Sequence, residues 1–276
     1  SCVKKSDYDK LKEENDSLAN QITIEHANVR IKNTLVHEMN SKFTKAAYDI
    51  YISYPDSFKT SGKKYPVLVV LDAEVNFGAV NYLAQRLKKD ELAPELLIVG
   101  IAYRGETDEK TYYTLRSKDF TPTEDKEWKY ADTGGAEDFV KFLSQELFPY
   151  LSENFPIKAD EKILYGHSFG GLFGFHVILN HTELFNNYIL LSPSLWWNSL
   201  AILKKPVPNA VGSHQFKLYA ATGSKEGKMV SDQLEMVKNL KAVGVTKLKS
   251  EILENETHRT VFGRGFTNGL RFLYEK

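Results

Sequence analysis

Apolar residues in this chain gather into short continuous runs, separated by longer stretches in which they recur every three or four positions. Buried strands alternating with one-face-buried helices produce that pattern. The mixed segment at residues 248–253 reads as a strand, and nearly continuous apolar runs lie at residues 66–71, 96–103, 162–165, 188–191 and 216–221. They predict strands buried on both faces, as parallel strands are. Two earlier segments, from Val29 onward and at residues 47–54, instead alternate with period two and predict an antiparallel pair. Helical spacing appears at residues 77–87, at residues 135–155 through Phe139, Phe142, Leu143, Leu147, Phe148 and Leu151, at residues 229–243 before Gly244, and at residues 261–274. The chain therefore reads as α/β: a mostly parallel eight-stranded sheet with helices on both faces.

Two stretches escape the alternation. Residues 104–133 combine many charges with Tyr112, Tyr113, Phe120, Trp128 and Tyr130 but show no clear period. A structureless connection of that length predicts a lid facing substrate. Residues 1–25 are rich in Lys, Glu, Asp and Asn and read as a tether, leaving residues 26–276 as one domain. Within the tether, Tyr8, Leu11, Asn15, Leu18 and Ile22 follow a coiled-coil seam of barely two heptads, too short to hold alone. A monomer or weak dimer is the expectation. Cys2, directly after Ser1 and ahead of this polar spacer, resembles the lipid-modified cysteine of a bacterial lipoprotein, which would place the chain in the cell envelope, periplasmic or on the outer membrane.

Composition narrows the chemistry. The 276 residues carry 36 basic and 36 acidic side chains, so the formal net charge is zero and no field favours nucleic acid or an anionic bilayer. No apolar run has the length of a membrane span, so the expected membrane contact is only through Cys2. A single cysteine cannot form an internal disulfide. No phosphate loop, dinucleotide fingerprint or metal-spaced motif appears, and neither cofactor nor metal is expected.

The chemistry centres on Gly166-His167-Ser168-Phe169-Gly170, a G-x-S-x-G nucleophile elbow between an apolar strand and an apolar helix. A serine hydroxyl needs a histidine to take its proton and a carboxylate to orient that histidine. In chain order Ser, acid, His, the loop after the seventh strand offers Glu226 and the loop after the eighth offers His258. Both lie at strand carboxyl ends, on the sheet edge that carries Ser168. Asp232, Glu254 and Glu256 are alternative acids. His167 points away from the base position, and His176 and His181 read as packing or surface residues. The oxyanion expects the Phe169 N–H and a second donor from the turn after the third strand, assigned to Glu74 N–H.

Gly166-His167-Ser168-Phe169-Gly170-Gly171, the segment Ser192-Pro193-Ser194-Leu195-Trp196-Trp197-Asn198 and the segment Arg116-Ser117-Lys118-Asp119-Phe120-Thr121-Pro122 together resemble the esterase D-like superfamily, and within it the siderophore-ester hydrolases that open enterobactin-type trilactones. The resemblance covers nearly everything after the tether. It implies an α/β-hydrolase fold, serine ester hydrolysis, and Ser168 and His258 as nucleophile and base. Feruloyl and acetylxylan esterases, S-formylglutathione hydrolases and mycolyltransferases share these motifs, so a small-molecule ester and a glycan ester are both expected substrates. A non-catalytic binding lipoprotein on the same fold is the remaining alternative. One departure is Ala73, where siderophore hydrolases commonly carry glycine. Arg116 is a candidate for holding an acidic or catecholate group, unless it pairs with Asp119. Trp196 and Trp197 are candidates for stacking on an aromatic or sugar face, unless they pack in the core.

Overall fold

The computed structural model describes residues 30–275 except 59, 106, 107 and 131. Cys2 and the seam from Tyr8 to Ile22 lie outside the described residues. The folded body is Lys32–Lys276.

Eight strands form one sheet in the order β1-β2-β4-β3-β5-β6-β7-β8. β1 (Thr34–Asn40) and β2 (Ala47–Ser53) pair antiparallel, and β2 joins β4 (Leu97–Tyr103) antiparallel as well. From β4 the sheet is parallel through β3 (Tyr65–Val70), β5 (Ile157–His167), β6 (Asn187–Leu191), β7 (Lys217–Gly223) and β8 (Leu248–Leu253). β1 starts later than the period-two pattern suggested, because residues 32 and 33 form a turn with Asn33 at φ 58°. The continuous apolar runs have the predicted consequence. In β3, Val67 and Val69 face one core while Leu68 and Val70 face the other.

One face is covered by α1 (Ala73–Lys89) and α7 (Val261–Tyr274), which bury Phe77, Val80, Val261, Phe266 and Leu270. The opposite face is covered by α2 (Glu109–Phe120), α3 (Ala136–Phe142), α4 (Phe148–Asn154), α5 (Phe169–Asn180) and α6 (Lys228–Ala242). α3 runs into α4 through one wide turn at Leu143–Leu147, so the predicted single helix over residues 135–155 is interrupted. α5 is apolar all round and buried from Phe169 to Leu179.

The predicted structureless lid is not what residues 104–133 form. Asp108 caps α2 by accepting from Thr111 N at 2.9 Å, and the helix then buries Arg116, Ser117, Asp119 and Phe120. Three of these four are polar, which is why no apolar period announced the helix. The following loop is fastened as well: Trp128 Nε1 donates to Ser117 Oγ at 3.0 Å, Gly134 N to Thr121 Oγ1 at 2.7 Å and Asp125 N to Thr133 Oγ1 at 2.9 Å. It is a fixed wall.

Candidate active site

Ser168 sits between β5 and α5 with φ 61° and ψ −117°, a backbone conformation that costs an L-residue of order 1–3 kcal/mol. The neighbouring sequence makes the bend sterically feasible. A Cβ on residue 166 would lie 2.3 Å from Gly170 O, so the elbow closes only around glycine. Backbone bonds then lock it: Ser168 N donates to Leu191 O at 3.0 Å, and Ser168 O accepts from Leu172 N at 3.0 Å and Ser194 N at 3.1 Å.

The loops after β7 and β8 bring Glu226 and His258 together. His258 Nδ1 lies 2.7 Å from Glu226 Oε2, with the carboxylate side chain 3% exposed and the imidazole 40% exposed. The other carboxylate oxygen accepts from Ser192 Oγ at 2.6 Å and Gly223 N at 2.7 Å. Burial pushes the Glu226 carboxyl up, but the bonds from His258, Ser192 and Gly223 outweigh it and hold it below the usual carboxylate range. Glu226 is thus ionised and its lone pairs are aimed. With Nδ1 occupied, Nε2 is the ring nitrogen left to serve as a base. Ser168 Oγ is 3.3 Å from Ser194 Oγ, and among the described residues no hydrogen bond joins it to His258. Such bonds often tighten only when substrate is bound.

The alternative acids are placed elsewhere. Glu256 pairs with Arg264 at 3.2 Å, Glu254 is exposed, and Asp232 is buried in α6. His167 does not face Ser168: its Nε2 donates to the His258 main-chain O at 2.7 Å. Burial, then the neighbouring His258, lowers its pKa to about 4, so a neutral His167 braces the base-bearing loop. Sequence reasoning missed this brace and the parts of Ser192 and Ser194. The run Ser192-Pro193-Ser194 was visible, but nothing in it announced which hydroxyl would meet Glu226.

At the anion-stabilising end, Phe169 N–H opens α5 and has no carbonyl within the helix to bond. The turn after β3 places Asp72 at φ 51° and starts α1 at Ala73. Glu74 is an exposed residue overall, but its carboxyl is turned onto Tyr103 N–H and its own N–H. Burial raises that carboxyl to about 7, against the pull of both N–H groups. Among the described residues no backbone acceptor meets Ala73 N–H, so the turn offers it as a donor, whereas the Glu74 N–H assigned from sequence is held by its own carboxyl and is freed only when that side chain turns away. The Ala73 methyl is accommodated by Gly100 on β4, where an added Cβ would come within 2.7 Å of it.

Arg116 is not available to substrate as expected. It is 6% exposed, and its Nε and one terminal nitrogen each donate at 2.8 Å to the two Asp72 oxygens. Tyr112 OH donates to Asp72 Oδ1 at 2.8 Å. The alternative partner, Asp119, accepts instead from Tyr48 OH at 2.6 Å and Tyr103 OH at 3.0 Å. Arg116 therefore ties α2 to the turn after β3, where the sequence expectation put the second oxyanion donor. Trp197 is 1% exposed and donates from Nε1 to Thr123 O at 3.1 Å, which makes it a core residue. Trp196 is 38% exposed and stands against Trp128 and Phe169, with ring centroids 6.0 and 5.9 Å away. Of the three substrate-contact candidates, only Trp196 presents a free face.

Among known proteins, a family model described as "Putative esterase" matches residues 41–262. The ferri-bacillibactin esterase BesA of Bacillus subtilis is 37% identical over 63% of this chain and 63% of its own length. The siderophore triacetylfusarinine C esterase of Aspergillus fumigatus is 31% identical over 56% of this chain and 54% of its own. The chain thus spans less than two thirds of the length of these two curated relatives. The crystal structure of the BES protein from Bacillus cereus superposes with a TM-score of 0.78 at 29% identity, covering 92% of this chain and all of that one.

Proposed function

The chain belongs to the esterase family, and from that premise we propose that it is a serine carboxylic-ester hydrolase that cleaves siderophore-type esters through an acyl-enzyme. The observation that carries the reading is the ionised Glu226 bonded to His258 Nδ1 at 2.7 Å beside a serine on a strained elbow. Siderophore esterases among its relatives, BesA and the triacetylfusarinine C esterase included, support the substrate class.

In the first half-reaction, Ser168 Oγ turns from Ser194 toward His258 Nε2, gives up its proton there and bonds to the ester carbonyl carbon. The carbonyl oxygen takes the negative charge and accepts from Phe169 N–H and from the turn at Ala73 and Glu74. Glu226 stabilises the imidazolium, which then protonates the departing alkoxide as the C–O bond breaks. A water molecule deprotonated by the same imidazole cleaves the acyl-serine, and the proton returns to Ser168. Trp196 lines the acyl or alcohol side and receives an aromatic ring.

The test is a panel of esters. Cyclic triester siderophores should be opened to linear products, read by mass, much faster than feruloyl or acetyl sugars. The reverse preference would move the chain to the polysaccharide esterases. A folded protein that neither hydrolyses any ester nor reacts with a fluorophosphonate would be the non-catalytic binder. A lipid anchor at Cys2, and with it a cell-envelope location, is proposed on sequence alone. Fatty-acid labelling of the native product tests it, and absence of label at Cys2 would remove it.

A further inference from the structure

At the far end of the elbow helix three side chains converge that the hydrolytic site does not use. Glu137 lies in the first turn of α3, His176 in the last turn of α5, and His181 just past its end. His181 Nε2 is 3.1 Å from both Glu137 oxygens. His176 Nε2 is 2.8 Å from Glu137 Oε1, yet off the line that a hydrogen bond requires, so this buried nitrogen has no hydrogen-bond partner. His176 is 7% exposed, and its Nε2 is in close contact with the carboxylate. All three donor atoms lie within 4.8 Å of one another.

We propose that Glu137, His176 and His181 form a binding site for a divalent transition cation of the zinc class, which clamps α3 to the carboxyl end of α5. Two imidazoles and one carboxylate are borderline donors suited to such an ion. Adjacent donors on a tetrahedral zinc stand about 3.3 Å apart, so the two nitrogen–oxygen separations of 2.8 and 3.1 Å need to open by only a few tenths of an ångström, while the two imidazole nitrogens already lie within 4.8 Å of one another. A close N···O approach without a hydrogen bond is where a cation would replace the missing proton. Ligation through Nε2 puts the His176 proton on Nδ1, which lies 3.2 Å from the exposed Asn180 amide. That amide nitrogen also donates to His176 O at 2.9 Å, so on metal binding the Asn180 side chain keeps this bond and moves off Nδ1, leaving the ring proton to solvent. Lys141 pairs with Asp138, next in the chain to Glu137, and Lys205 lies in electrostatic range of His176; their positive charges oppose the ion and set a limit on affinity.

The site is separate from the nucleophile. His176 stands eight residues beyond Ser168, about 12 Å along the helix. The sequence hides it, since Glu137 and His176 are 39 positions apart and on different helices.

The test is titration of the full chain, stripped with chelator, with Co²⁺ followed by Zn²⁺. Wild type should bind one equivalent of Co²⁺ with the visible absorption of a low-coordinate site, lose that absorption to Zn²⁺, and melt at a higher temperature with metal. Glu137→Gln and His181→Ala, both at solvent-facing positions, should each weaken binding at least tenfold and abolish the thermal shift. Any ester hydrolysis by the metal-free variants should equal that of metal-free wild type. Binding by either variant as tight as by wild type, or no binding by wild type, would overturn the site and leave a simple imidazole–carboxylate clasp.

Discussion

Glu226 has a carboxylate that would be strongly disfavoured in its half-buried loop were its two oxygens not supplied with three donors. Its role is to fix which imidazole nitrogen carries the proton. Glu226→Gln should lower kcat/KM on the order of a thousand- to ten-thousandfold with little change in KM, as expected when the histidine loses its orienting charge. Ser192→Ala removes one donor from the same carboxylate. It should cost about tenfold in kcat and move the acidic limb of the pH–rate profile upward, because a carboxylate with one fewer hydrogen bond protonates at higher pH. The sign for stability follows from the same group. A depressed carboxyl contributes stability above its unfolded pKa and loses it as pH falls through the folded value. The placement of Ser168 on an elbow and of Glu226 beside His258 was legible in the sequence, because chain order and strand ends leave few alternatives. His167 was legible as a residue that could not be the base. Its bond to the His258 carbonyl, 91 positions away, was not.

At the scale of elements, α2 is where sequence and structure part. Its buried face consists of Arg116, Ser117, Asp119 and Phe120, and hydrogen-bonded partners rather than apolar contacts make that burial tolerable. No local period encodes partners that stand 44 and 71 positions away, as Asp72 and Tyr48 do. Two consequences can be measured. Asp72→Ala strands a buried guanidinium and should destabilise the fold by about 3–5 kcal/mol in chemical denaturation. Asp119, 1% exposed, has its carboxyl pushed by burial up to about 7, against the pull of Tyr48 and Tyr103. A raised carboxyl contributes stability at low pH that is lost as pH rises from about 4 to about 7. The stability difference between wild type and Asp119→Asn should therefore fall by a few kcal/mol over that range and be flat above it. A difference independent of pH would show that Asp119 is ionised throughout. The elbow is stricter still: Gly166→Ala drives a methyl into the Gly170 carbonyl, and the expected result is loss of soluble protein or of the elbow's geometry.

Over the whole molecule, the sheet collects its chemistry on one edge. β3, β5, β7 and β8 deliver the oxyanion turn, Ser168, Glu226 and His258 at their carboxyl ends, the arrangement expected of an open parallel sheet. The alternation of apolar runs was sufficient to read this much. The aromatic cluster around Trp196 was not readable, since it depends on Trp128, Phe169 and Trp196 meeting from three separate segments. Trp196→Ala should raise KM for esters with aromatic acyl or alcohol groups several-fold and leave small aliphatic esters nearly unchanged, consistent with an aromatic contact of about 0.5–1.5 kcal/mol. The central claim is that Ser168 and His258 form one nucleophilic unit. Its most direct test is steady-state hydrolysis of a short p-nitrophenyl ester by wild type, Ser168→Ala and His258→Ala, each verified as folded. The account predicts turnover by wild type and a loss on the order of a thousandfold or more in both variants. Hydrolysis by either folded variant at the wild-type rate would contradict it.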